Sequence, residues 1–222
     1  MKKMKHQVPP IRFFERILYM KFPFFASFIV FCIWLGYEIH KHRNMEAKAD
    51  QEFWEKEAAA NSTRRKSLDN LAYIRIPFET LPMENFSDDP VIKECHETLK
   101  DLSAFPIVNL TGISNTDLKL TYGAPNIDLL SQYDQRYTIL ARTLQAWANA
   151  LHEKGCTDAA RQVLEFAIET RTDVSGSYKL LSAIYQQIGQ TEKINALIPV
   201  AEGLNSPLKN HIVQTLKEMS NS

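Results

Sequence analysis

Residues 144–172 read LQAWANALHEKGCTDAARQVLEFAIETRT, and residues 178–206 read YKLLSAIYQQIGQTEKINALIPVAEGLNS. Set one above the other, the two stretches are offset by thirty-four residues: Gly155 falls on Gly189, Leu144 on Tyr178, Trp147 on Leu181, Leu151 on Tyr185 and Ala167 on Ala201. A period of that length belongs to stacked helical hairpins. Apolar or small side chains recur at helical spacing on both sides of each glycine, so each frame predicts a helix, a tight turn and a second helix. Small residues at 148, 182, 167 and 201 suit positions where backbones approach closely, with large ones filling the space between.

This pattern resembles the tetratricopeptide repeat: a bulky residue, Leu and a small residue, then an aromatic, Gly, Ala, a bulky residue and Ala. The second frame carries the first half of that pattern in Tyr178, Leu181, Ser182, Tyr185 and Gly189, and the first frame carries the second half in Ala160, Leu164 and Ala167. The resemblance implies a binding module whose first helices line the working face. On that basis Asn149, His152 and Glu153 in one copy, and Lys179, Gln186 and Gln187 in the other, are the candidate contacts for a protein or peptide partner.

A stack of hairpins needs ends. Ser206 followed by Pro207 reads as a helix N-cap with proline at the first helical position, and Leu208, Ile212, Leu216 and Met219 then form one apolar stripe. Residues 206–222 are therefore expected to be a capping helix and tail behind the two repeats of residues 137–205. Two repeats and a cap fall short of the roughly three that usually fold alone, so residues 67–136 are expected to close the other end.

That preceding region is irregular, with prolines at 77, 82, 90, 106 and 125. Asp88, Asp89 and Pro90 open a predicted helix with Val91, Cys95, Leu99 and Leu102 on one face. Tyr73 to Phe78 reads as extended. Ser114 to Gly123 has the capping spacing and terminal glycine of one short helix. From Ile127 to Trp147 apolar residues advance by threes and fours, which fits one long helix or two with a break near Asp134.

At the other end, residues 22–39, FPFFASFIVFCIWLGYEI, hold no charge before Glu38. Eighteen helical residues extend about 27 Å, close to the hydrocarbon thickness of a bilayer, so this segment is predicted to cross a membrane. Six basic residues and a single acid lie in residues 1–21, which places that tail in the cytoplasm and the remainder outside, at a plasma membrane. No small-x-small cleavage signal follows Ile39, so the span reads as an uncleaved anchor. Residues 40–66 lack proline and glycine and are rich in helix formers, which predicts a helical stalk. Phe53 and Trp54 on that stalk suit either a partner helix or lipid headgroups.

Within NLTGISNTDLKLTYG and LEFAIETRTDVSGSY, together with the basic start and single span, the chain resembles a group of uncharacterised membrane-anchored repeat proteins of clostridial bacteria. That resemblance implies a bacterial cell envelope and transfers no catalytic residue.

Twenty-six basic and twenty-six acidic residues cancel, leaving no field that would gather nucleic acid. Cys95 and Cys156 are expected as free thiols, and no histidine or cysteine set has the spacing of a metal site. Phosphate-loop, dinucleotide and nucleophile-elbow motifs are missing, so neither a catalytic residue nor a cofactor is assigned. Asn61, Asn85 and Asn109 each open an N-x-S/T triplet, where roughly one or two arise by chance. The fold expected is all-α: anchor, stalk, a short tetratricopeptide-like array and a cap. The function expected is that of a membrane-anchored scaffold or adaptor. The alternative is a catalytic or sugar-binding domain formed by residues 67–136, which a deep pocket lined by Tyr73, Asp117 and Tyr122 would favour.

Overall fold

The computed structural model describes residues 12–221, with side chains from residue 25 onward except residue 44. The predicted tail at residues 1–21 and the first residues of the predicted span thus lie wholly or partly outside the described residues. Among the described residues the fold is all-α, with a single isolated bridge between Tyr73 and Val108 and no longer strand. By contact the chain forms two units, Met1–Ala58 and Ala59–Ser222.

The first unit consists of most of helix α1, Arg12–Ser62. Phe25, Phe28, Phe31, Ile33 and Trp34 are all exposed on it. Among the described residues no helix is long and apolar enough to cross a membrane. The stalk predicted to residue 66 ends at Ser62. Its last turn is closed by the hydroxyls of Ser62 and Thr63, which both donate to the carbonyl of Ala59 and draw the chain out of the helix.

In the second unit, α2 (Pro90–Ser103) starts where Asp89 accepts from the amides of Val91 and Ile92, with proline at the first helical position. Its inward face differs by one step from the predicted one. Ile92, Cys95, His96, Leu99 and Leu102 are buried, while Val91 is half exposed. Helix α3 (Asn115–Tyr122) is capped by Ser114 and closed by Gly123 at φ 95°. A 3₁₀ turn, Ala124–Asn126, leads into α4 (Ile127–Glu153), which runs unbroken past Asp134. The boundary expected at residues 136/137 therefore falls inside one helix.

Then come α5 (Thr157–Glu169), α6 (Ser175–Gln187), α7 (Glu192–Glu202) and α8 (Lys209–Ser220). The glycines between α4 and α5 and between α6 and α7 have φ of 79° and 70°. The hydrogen bonds at the two turns correspond one for one. The Gly155 amide donates to His152 and that of Cys156 to Leu151; thirty-four residues on, Gly189 donates to Gln186 and Gln190 to Tyr185. These are helix-ending left-handed caps that satisfy otherwise idle carbonyls. The spacing extends further: α6 begins at Ser175 and α8 at Lys209, again thirty-four apart.

Helix α8 starts later than predicted. Ser206 caps only the preceding turn, accepting from the Leu208 amide, while its own hydroxyl donates to Asp173. Of the predicted stripe, Ile212 and Leu216 are buried, whereas Leu208 is exposed.

Two apolar clusters hold the unit together. The larger joins α2 to α4–α8 and includes Trp147, Leu151, Leu164, Ala167, Leu181 and Ala201. The smaller gathers Leu71, Val108, Leu110, Leu118, Leu130 and Tyr133 around α3 and the start of α4. Burial of a large apolar side chain contributes about 1.5–3 kcal/mol, so this continuous core dominates the fold.

Candidate functional site

Helices α4 and α6 carry the six predicted contact residues, and the structure divides them. Asn149 and Glu153 lie one helical turn apart and line the same cleft, of about 460 Å³, with Asp89, Ala146 and Lys154. Lys179 and Gln187 are exposed on α6. The other two are drawn inward. Gln186 is half-buried and donates through Nε2 to the Met219 carbonyl at 2.7 Å, which ties α6 to the end of α8. His152 is half-buried with its Nδ1 enclosed and without a hydrogen-bond partner.

Gln145 has no place among the candidates, yet it links the two helices. Its Nε2 donates to Asn149 at 2.8 Å, and its Oε1 accepts from the hydroxyl of Ser177 on α6. Gly176 leaves room for this, since a Cβ there would meet the Gln145 side chain at 3.3 Å. A glutamine one turn before Asn149 was the available signal, because i, i+4 amides on a helix face one another.

At the edge of the same cleft Lys154 pairs with Asp89 at 2.7 Å and lies over the ring of Phe86, 5.5 Å from its centre. The hydrogen bond from Lys154, followed by those from the Ile92 and Val91 amides, holds the Asp89 carboxyl below its ordinary range. Phe86 has φ of 52°, a left-handed value that an aromatic residue seldom adopts.

A larger cleft, of about 600 Å³, opens elsewhere on the unit. Four stretches distant in sequence meet there: residues 72–75, residues 109–113, the end of α5 with the chain after it, and residues 203–206 after α7. Asn109 holds the junction, donating through Nδ2 to the carbonyls of Thr170 and Arg171, at 3.1 Å each. On the far side Asn205 donates to the Gly112 carbonyl at 2.9 Å. Gly112, with φ of 78°, touches Asn205 so closely that a Cβ would overlap its backbone oxygen.

Tyr73 lines this cleft, but Asp117 and Tyr122 do not. Its hydroxyl donates to the Leu68 carbonyl, and its ring meets Tyr133 edge-on at 6.0 Å. Burial first, then Tyr133 and Asp69, push its phenol above the ordinary range. Tyr137 is pushed up to about 12 by burial, and Tyr178 higher still. None of these phenols offers a proton near neutral pH. Asp173 in the cleft is engaged by Ser206, which leaves Glu169 as its remaining acid.

Cys95 is buried, Cys156 half-buried and Cys32 exposed, all as free thiols. Burial, then Glu94 and Asp89, raise the Cys95 thiol above its usual range, which disfavours the reactive thiolate. Among the described residues no cluster of three or more metal-ligating side chains forms. Comparison with family models, with curated proteins and with solved structures finds no match.

Proposed function

We propose that the chain is a single-pass, membrane-anchored interaction module, a scaffold or adaptor whose outer domain is a short tetratricopeptide-like array. The observation that carries this reading is the thirty-four-residue recurrence of the turn hydrogen bonds. In such arrays first helices stand side by side and present a shared face. Asn149 and Glu153 on α4, with Lys179 and Gln187 on α6, supply exposed polar groups on those helices. Its mode of action is binding without turnover. The anchor is the apolar stretch of residues 22–39, which holds no charge before Glu38, with the basic residues 1–21 in the cytoplasm and the array outside the plasma membrane.

The working face is tested by in-cell crosslinking of the full chain. Asn149→Ala with Gln187→Ala should lower recovery of crosslinked partners without changing the melting temperature. Gln186 is left intact in this test because it fastens α8. Undiminished crosslinking by the double variant would remove this face from consideration. Orientation is read from tags on intact cells: a tag after Ser222 that external protease spares, with one before Met1 that it cuts, would reverse the topology.

A further inference from the structure

The cleft framed by residues 72–75, residues 109–113 and the end of α5 has its own chemistry, separate from the face of α4 and α6. Arg75 and Arg171 both line it. Neither guanidinium has an ion-pair or hydrogen-bond partner among the described residues. Three other basic groups of the unit are occupied: Arg161 grips Glu165 at 2.8 Å, Lys154 holds Asp89 at 2.7 Å, and Arg136 donates to the Pro106 carbonyl and stacks on Phe105. The cleft also holds two acids, Asp173, whose carboxylate accepts from the Ser206 hydroxyl, and Glu169, which is exposed.

The backbone there is also prepared. The Ile74 amide is spent on the Ile107 carbonyl, so the alternation of an extended chain turns the N–H and C=O of Arg75 to the opposite edge, where no backbone group meets them. Arg171 sits at φ 59°, and its carbonyl is pinned by Asn109. Its main chain is thereby fixed while its side chain stays unengaged, which reduces the ordering cost of recruiting it. Apolar surface from Ile74, Ile113 and Leu204 completes the lining.

We propose that this cleft binds an extended, acidic peptide segment. The peptide's carboxylate is taken by Arg75 and Arg171, its main chain runs alongside the free edge at Arg75, and an apolar neighbour packs on Ile113 and Leu204. Guanidinium groups suit carboxylates because their planar donors match two oxygens at once, and an unpaired chain edge suits an added strand.

The test uses the full chain in detergent, immobilised by a C-terminal tag, against a displayed library of random peptides about ten residues long. Enriched sequences should carry Asp or Glu more often than the input. A labelled synthetic copy of the leading sequence should bind about tenfold more weakly to Arg75→Glu and to Arg171→Gly, as expected for loss of one charge-assisted contact. Arg171→Gly keeps the left-handed backbone, and a matching melting temperature for each variant shows that the fold is retained. Arg75→Lys should recover part of the loss. Asn149→Ala with Gln187→Ala should bind the peptide as the wild type does; loss in that variant alone would assign the peptide to the face of α4 and α6 and overturn the cleft. Winners without acids, indifference to Arg75→Glu, or retention of an acidic oligosaccharide in place of peptides would also overturn it.

Discussion

The α4–α5 and α6–α7 hairpins share a turn and differ in their surroundings. Leu151 in the first corresponds to Tyr185 in the second. Leu151 is wholly buried, whereas Tyr185 sends its hydroxyl back to Glu165 on α5 at 2.9 Å, joining one hairpin to the other. His152 and Gln186 also correspond; the histidine keeps an enclosed unpaired nitrogen, and the glutamine finds the Met219 carbonyl. After α5 the cap Thr170, with φ of −71°, is followed by a left-handed Arg171, whereas after α7 the cap Gly203, with φ of −81°, is followed by Leu204 at negative φ. Period fixes the turn, while the neighbour on each side decides what every other position becomes.

The comparison breaks most completely at the contacts between helices. Ala167 and Ala201 are both fully buried. Glutamate at either place is oversized and unpaired, and should cost about 3–5 kcal/mol. Gln187→Glu, on the exposed side of α6, should melt as the wild type does. Equal melting curves for all three variants of the full chain would contradict the placement of positions 167 and 201 at helix contacts.

At the turns the expected effect is smaller and shared. A Cβ at Gly155 or at Gly189 meets nothing within 4 Å, so alanine there costs only its left-handed backbone, about 1–2 kcal/mol at each site. Denaturant midpoints that move at one glycine and stay fixed at the other would separate two turns that look alike.

Acid should distinguish the hairpins. Trp147 packs edge-on against His96 of α2, with ring centres 4.8 Å apart, while its counterpart Leu181 has no such neighbour. His96 is 6% exposed and its Nε2 has no partner. Burial, then Lys100, hold its pKa below 6.5. Between the two pKa values the unfolded chain binds a proton that the folded chain refuses. The stability present above about pH 6.5 is therefore lost as pH falls toward the folded pKa, at up to about 1.4 kcal/mol per pH unit. Melting temperatures of His96→Phe across pH 7.5 to 5.5 should follow a flatter course than those of the wild type.

The smallest effect concerns the pair at 152 and 186. Gln186→Ala gives up a hydrogen bond and should cost about 1 kcal/mol, whereas His152→Leu removes a polar atom that had no partner and should be neutral or slightly stabilising. Matching losses at both positions would mean that His152 has a bond its geometry does not reveal.

Features with a local cause were legible in the sequence. The left-handed glycines and the caps at Asp89 and Ser114 each depend on a few neighbouring residues. Others were settled at a distance. One helix or two with a break near Asp134 fitted the sequence equally; the Asp134 carboxylate accepts the Leu110 amide at 2.9 Å, so the polar residue is used without interrupting α4. The inward face of α2 fell one step from Val91, on Ile92 and His96, because adjacent apolar residues leave that choice to the packing partner. Of the large cleft only Tyr73 was anticipated, while Asp117 and Tyr122 lie outside it. Its walls come from segments that share no period, and Arg75 and Arg171 are nearly a hundred residues apart.

Asn109 opens the triplet Asn-Leu-Thr, a glycan acceptor in secretory compartments of eukaryotic cells. In the folded chain the nitrogen that would receive the sugar is committed to two carbonyls, whereas Asn61 is exposed and only its oxygen is engaged, by Lys119 at 2.8 Å. Sugar could reach Asn109 only before α5 and the loop come together. Produced in such a host, the protein would carry a built-in clock, in which occupancy at Asn109 relative to Asn61 records how long each molecule remained unassembled.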